Sequence, residues 1–153
     1  MKLSCDVIRV LQGHTIATAE SCTGGGIGAA LTAVPGSSAV YKGGIISYTN
    51  EIKEKLLGVS REVLDSCGAV SAQVAEAMAF GARTALHTDI AVSVTGLAGP
   101  GGDDYGNPVG TVYIGYASER KVISKKFLFS GDREQVRFKA IEAALRLILS
   151  ENQ

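Results

Sequence analysis

Thr15-Ile16-Ala17-Thr18-Ala19-Glu20-Ser21-Cys22-Thr23-Gly24-Gly25-Gly26-Ile27-Gly28-Ala29-Ala30-Leu31 is the segment from which the rest of the chain can be read. Thr15 to Ala19 are small or β-branched and predict a short buried strand. Ile27 onward begins an apolar helix, placed near Gly25–Ala33. Between them lie a hydroxyl, a thiol and three glycines in a strand-to-helix turn. Glycine lets the backbone adopt φ > 0 and approach a ligand closely. Free N–H groups at a helix start favour an anion or a developing oxyanion. The pattern therefore predicts a site at this turn, carried by an α/β unit.

Working outward, Asp6 to Leu11 has the apolar spacing of a short helix. Pro35 and Gly36-Ser37-Ser38 end the helix after the turn. Ala39 to Tyr48 reads as a strand, bent or bulged at Gly43-Gly44. Thr49-Asn50-Glu51 is a helix-start signal for Glu51–Leu57, which stops at Gly58. A short helix at Ser60–Ser66 follows. Ser71 caps a longer one, Ala72–Leu86, whose many alanines and Gly81 predict close packing on a sheet. Asp89–Thr95 reads as a third strand, and Gly96–Asn107 is a loop with five glycines. Gly110–Ala117 and Val122–Phe129 read as a hairpin. Asp132-Arg133-Glu134-Gln135 is a capping box opening a last helix to about Leu149. The alternation predicts a single domain over residues 1–153. Its fold class is α/β: a three-layer α/β/α sandwich with a mixed, largely parallel sheet.

The totals narrow the function. The chain has 153 residues, 46% hydrophobic and 20% charged, which suits one packed domain. Fifteen basic and fifteen acidic residues give zero net charge, against a nucleic-acid binder held by bulk electrostatics. Cys5, Cys22 and Cys67 have no paired spacing, which points to a reducing, cytoplasmic setting. With two histidines and no CxxC, no metal site is expected, and adjacent Asp103 and Asp104 read as solvated loop carboxylates. The N-terminus has no signal-peptide core, and no apolar run is long enough to span a membrane.

Ligands of open α/β sheets bind beyond the carboxyl ends of strands. Three polar clusters fall there: Ser21-Cys22-Thr23, Tyr48-Thr49-Asn50, and Thr95 with the glycine loop. A serine nucleophile needs a base, and His14 and His87 both precede strands, at the opposite rim. A lysine can serve instead. Lys53 and Lys55 follow the second strand, about 200° apart around one helix, so both cannot point inward.

These residues resemble one family in order and spacing. The blocks are Glu20-Ser-Cys-Thr-Gly-Gly25, Gly36-Ser-Ser38, Ser47-Tyr-Thr-Asn-Glu-Ile-Lys53, Leu57-Gly-Val59, Gly68-Ala-Val-Ser71, Val94-Thr-Gly-Leu-Ala-Gly-Pro100, Pro108-Val-Gly-Thr111 and Gly131-Asp-Arg133. The chain is identified as resembling the CinA C-terminal domain family, whose stand-alone members are nicotinamide-nucleotide amidases. The resemblance implies hydrolysis of the carboxamide of nicotinamide mononucleotide to nicotinate mononucleotide and ammonia, with no cofactor. It implies a Ser-Lys pair assisted by a tyrosine: Ser21, Lys53 and Tyr48. It also implies a homo-oligomer, expected to be a dimer, and the chain looks like the stand-alone form.

A base at Lys53 needs a pKa near 7–8, since an ordinary lysine is neutral in only about one molecule in 2,500 at pH 7. Desolvation of about 4 kcal/mol would supply the shift. Glu20 would oppose it by contact, so Glu20 is expected on backbone donors or a ribose hydroxyl. The N–H groups of Thr23, Gly24 and Gly25 are candidates for an oxyanion hole or a phosphate cradle, and both roles stay open. Thr95, Gly96, Arg133 and Arg137 are the other candidate contacts for the nucleotide. Cys22 lacks a histidine and is expected to be buried and inert. The alternatives to an amidase of this substrate are a nucleotide-binding or regulatory module without turnover, and a serine hydrolase of another small amide.

Overall fold

The structure is a computed structural model and describes residues 1–153. Six α-helices and five strands alternate along the chain: α1 (Lys2–Val10), β1 (Ile16–Glu20), α2 (Gly26–Thr32), β2 (Tyr41–Ile46), α3 (Asn50–Leu57), α4 (Arg61–Cys67), α5 (Ala72–Leu86), β3 (Ile90–Gly96), β4 (Thr111–Ala117), β5 (Val122–Leu128) and α6 (Arg133–Asn152). A single 3-10 turn over Ser37–Ala39 occupies the predicted break before β2.

The sheet order is β2-β1-β3-β4-β5. β1 pairs parallel with both β2 and β3, while β3–β4 and β4–β5 are antiparallel. The sheet is therefore mixed, and β4 alone runs against the other four strands. The pairing of β1 with β2 slips by one residue between Ile16 and Ala17, which is the irregularity that Gly43-Gly44 predicted. Helices cover both faces, giving three layers.

Side-chain alternation divides the two faces. Ile16, Val92 and Val94 join the larger core beneath α1, α2 and α6. Ala17, Ala19 and Ala91 meet Val74, Met78 and Ala82 in a smaller one beneath α5. Alanine on both sides brings α5 close to the sheet. α3 and α4 pack on α5, and α3 approaches it closely at Gly81, where an added Cβ would strike the Leu57 backbone. Three caps fix these helices: the side chains of Thr49, Ser60 and Ser71 accept from Ile52, Val63 and Val74 N–H respectively.

Because the obstacle at Gly81 is backbone, it cannot rotate aside. Gly81→Ala is expected to lower the unfolding free energy by about 1–3 kcal/mol, read from urea unfolding, even though alanine is the better helix former. An unchanged or raised midpoint would mean that α3 is not seated tightly on α5.

Candidate active site

The parallel alignment of β1, β2 and β3 brings their carboxyl ends to one rim. The segments that follow them, the α4–α5 connection at Ala69-Val70 and the start of α6 enclose a cleft of about 290 Å³. Ser21 is the first residue after β1. Ala17 and Ala19 face α5, so the next odd position carries the Ser21 hydroxyl toward the same layer, where α3 lies. Lys53 is four residues beyond the Thr49 cap and projects inward, while Lys55 is exposed.

The two side chains meet. Lys53 Nζ donates to Ser21 Oγ at 3.1 Å and to the Ser47 carbonyl at 2.7 Å. Lys53 is 1% exposed and Ser21 8%. No carboxylate lines the cleft, and Lys53 takes part in no ion pair. Burial therefore dominates its proton affinity and pulls the lysine from 10.5 down to about 8, with the neighbouring Cys22 sulfur acting weakly the other way. Roughly one molecule in ten then carries a neutral amine at pH 7. Burial acts oppositely on the Cys22 thiol, pushing it up to about 11. That thiol is buried and protonated, and it is a poor nucleophile.

Of the other residues expected to contact a ligand, the cleft gathers Tyr48, Thr95, Gly96 and Arg133. The Thr95 hydroxyl is already donating to the Ala69 carbonyl. Tyr48 is 60% exposed. Its hydroxyl accepts from Arg133 Nη2 at 3.1 Å, and Arg133 Nη1 donates to the Gly99 carbonyl at 2.7 Å.

Thr23, Gly24, Gly25 and Arg137 lie outside the cleft lining. The first amides of α2, those of Ile27 and Gly28, are occupied from within. Buried Glu20 accepts from Thr23 Oγ1 and Ile27 N–H through one oxygen and from Gly28 N–H through the other. Strand alternation sends Glu20 to the α2 face, away from Lys53, so it caps α2 without charging the lysine. The Gly24 N–H turns back to the Ser21 carbonyl. Gly24 (φ 59°) and Gly25 (φ 103°) take the left-handed conformations that the turn requires. Arg137 Nε and Nη2 donate to the Cys22 and Thr23 carbonyls. It fastens the turn to α6 instead of reaching for a phosphate.

A second groove, about 400 Å³, runs between β5 and α6 over Phe127, Phe129 and Leu147. Its serine, Ser150, donates to the Leu147 carbonyl and its Lys139 to Ser130, so it holds no nucleophile and base in contact. No cluster of His, Cys, Asp and Glu suited to a metal occurs in the molecule. No helix is long and apolar enough to cross a membrane.

Residues 2–151 match the family described as the CinA C-terminal domain. The chain belongs to this family. It is 54% identical over 147 residues to a CinA-like protein of Thermosynechococcus vestitus, covering 93% of this chain and 35% of that one. It is 44% identical over 144 residues to a putative competence-damage inducible protein of Caldanaerobacter subterraneus, with the same coverage. The chain thus spans about a third of the length of these relatives. Among solved structures, the competence/damage inducible protein CihA of Agrobacterium tumefaciens superimposes with a TM-score of 0.95 at 39% identity, covering 99% of this chain and 94% of that one. A CinA superfamily protein of Klebsiella pneumoniae gives 0.95 at 34% identity, covering 98% and 95%.

Within this CinA-type domain, sequence reasoning assigned no role to Ser47 or to the lining supplied by Ala69 and Val70, whereas the loop holding Leu97–Gly99 was already a candidate ligand contact. Ser47 acts through its backbone carbonyl, which has no side-chain signature. Ala69 and Val70 are apolar residues in the connection between α4 and α5, with no polar group to mark them. A buried lysine with a lowered pKa also has a cost. Folding releases its proton between pH 8 and 10.5, so stability rises with pH across that window and the benefit is absent below it. Lys53→Met is expected to raise the unfolding free energy at pH 7 by about 1–3 kcal/mol and to flatten the rise from pH 8 to 10. Denaturant titrations at pH 7 and 10 check this. A variant less stable than the parent at pH 7 would show that Lys53 is not a buried cation there.

Proposed function

We propose that this chain hydrolyses the carboxamide of a nicotinamide nucleotide, with Ser21 as nucleophile and Lys53 as base. The observation that carries the reading is the buried 3.1 Å contact between Lys53 Nζ and Ser21 Oγ in a cleft without carboxylates. An amide is a poor electrophile, so the serine oxygen must lose its proton as it attacks. A lysine that titrates near 8 is neutral often enough to take that proton and acidic enough to return it.

The steps follow from that pair. The neutral amine accepts the Ser21 proton while Oγ bonds to the carboxamide carbon. The resulting ammonium stays fixed by the Ser47 carbonyl and the Ser21 oxygen. It then protonates the departing nitrogen, with Tyr48 as the relay at the open side, and ammonia leaves. Water attacks the acyl-serine by the same route, and nicotinate nucleotide departs. The positive pyridinium ring favours the neutral form of Lys53 further. The amides of Cys22, Thr23 and Gly25 in this turn have no hydrogen-bond acceptor in the protein and are the donors proposed for the oxyanion; of the three, Cys22 lines the cleft beside Ser21.

The cleft also favours substrates with a negative group at the far end. Its lining carries no acid, and Arg133 is the cation at its mouth. A cation there favours nicotinamide mononucleotide, which carries a phosphate monoester, over free nicotinamide.

Incubation with nicotinamide mononucleotide is expected to release ammonia, with kcat/KM rising as pH increases through about 8 as Lys53 loses its proton. Ser21→Ala and Lys53→Ala should each lower kcat by about 10⁴-fold or more without unfolding the chain. Near-full activity in Ser21→Ala would remove the nucleophile. Absence of ammonia from the parent protein would favour a binding module without turnover.

A further inference from the structure

Arg133 carries a full positive charge at the cleft mouth and has only neutral partners. It bonds the Gly99 carbonyl and the Tyr48 hydroxyl and makes no ion pair. Arg137 lies one turn further along α6 on the same side. It is half-buried and fastened to the carbonyls of the nucleophile turn. The two arginines thus differ in kind. Arg137 joins α6 to a rigid turn. Arg133 is exposed and joins three separate segments across the opening: the start of α6, the residue after Ser47, and the glycine loop after β3.

A guanidinium held by a phenol and a carbonyl is bound less strongly than one held by an oxyanion, where charge-assisted bonds are about twice as strong. A ligand with an anionic group at the mouth has a differential claim on Arg133, which is what a population shift requires. The present contact also has a chemical consequence. While Arg133 donates to the Tyr48 oxygen, that hydroxyl makes no hydrogen bond to Ser21 or Lys53.

We propose that Arg133 is a latch opened by the anionic group of the ligand. The guanidinium leaves the Tyr48 hydroxyl and the Gly99 carbonyl for the anion, and Tyr48 is released to turn inward to the reacting groups. This rests on the amidase reading for the identity of the ligand, but the latch itself is a property of Arg133, Tyr48 and Gly99. It makes recognition of the phosphate a condition for completing the site. A nucleoside lacking the phosphate then loses kcat as well as affinity.

The test uses the full chain labelled with 3-fluorotyrosine. Its five tyrosines give separate fluorine resonances, and Tyr48→Phe identifies the relevant one. Ribose 5-phosphate is expected to move the Tyr48 resonance and ribose is not. Arg133→Ala should start near the moved position and lose the response. In calorimetry, Tyr48→Phe should bind ribose 5-phosphate about 2- to 10-fold tighter, because the guanidinium no longer has to leave a hydroxyl. A residue that merely supports the fold would not tighten binding when truncated. A stationary Tyr48 resonance at saturation, no binding of ribose 5-phosphate, or unchanged or weaker binding by Tyr48→Phe each overturns the latch. Ammonia release from nicotinamide mononucleotide is followed in parallel. A moving resonance without ammonia removes the amidase reading and leaves the latch. Ammonia with a stationary resonance does the reverse.

Discussion

Lys53 is buried with one hydroxyl and one carbonyl for company, and the architecture around it serves to hold it there. Water would solvate the ammonium far better than these two oxygens do, which is why its proton is held loosely. A carboxylate within reach would relieve the cost and restore an ordinary lysine. The cleft has none. The molecule therefore places a destabilising group at its centre and offsets the cost elsewhere. α3 is pinned by its Thr49 cap, by the Gly58 stop with its left-handed conformation, and by contact with α5 at Gly81.

The one acid close in sequence, Glu20, shows how the fold keeps charge apart over a single peptide bond. Its side chain and that of Ser21 leave the sheet on opposite faces. Glu20 goes to the N-terminus of α2, where three donors and the helix dipole receive it. Ser21 goes to the lysine. Arg137 then completes the turn from the α6 side by binding two consecutive carbonyls. Carbonyls bound in this way leave their peptide N–H groups more polarised. The glycine-rich turn thus presents a serine from a fixed frame, with the first amides of α2 behind it taken by Glu20.

The resulting division of labour sets a rigid interior against an open mouth. Ser21, Lys53, Thr95 and Ser47 are buried and bonded through strand ends. Tyr48, Asn50 and Arg133 are exposed on segments that touch across the opening. Chemistry that needs a low-dielectric base belongs to the first group, and recognition of a charged, solvated ligand to the second.

Local sequence was sufficient for the existence and order of the elements, because their signals are local, although α1 begins at Lys2, ahead of the predicted Asp6. Thr49, Ser60, Ser71 and the Asp132 box each bond within their own first turn, and the predicted α5 matches Ala72–Leu86 residue for residue. The order of strands and helices likewise implied three layers and one functional rim, and motif resemblance pointed to Ser21, Tyr48 and Lys53. At the glycine turn, tertiary structure decides which face each residue takes and what already occupies its groups. Glu20 fills the amides at the start of α2, Arg137 binds inside the scaffold, and Tyr48 is tied to Arg133, a residue 85 positions away. The depressed pKa of Lys53 belongs to the same class. It comes from desolvation by α3, the strand ends and the glycine loop together, and a solvation energy is a property of that enclosure, with no counterpart in any single stretch of the chain.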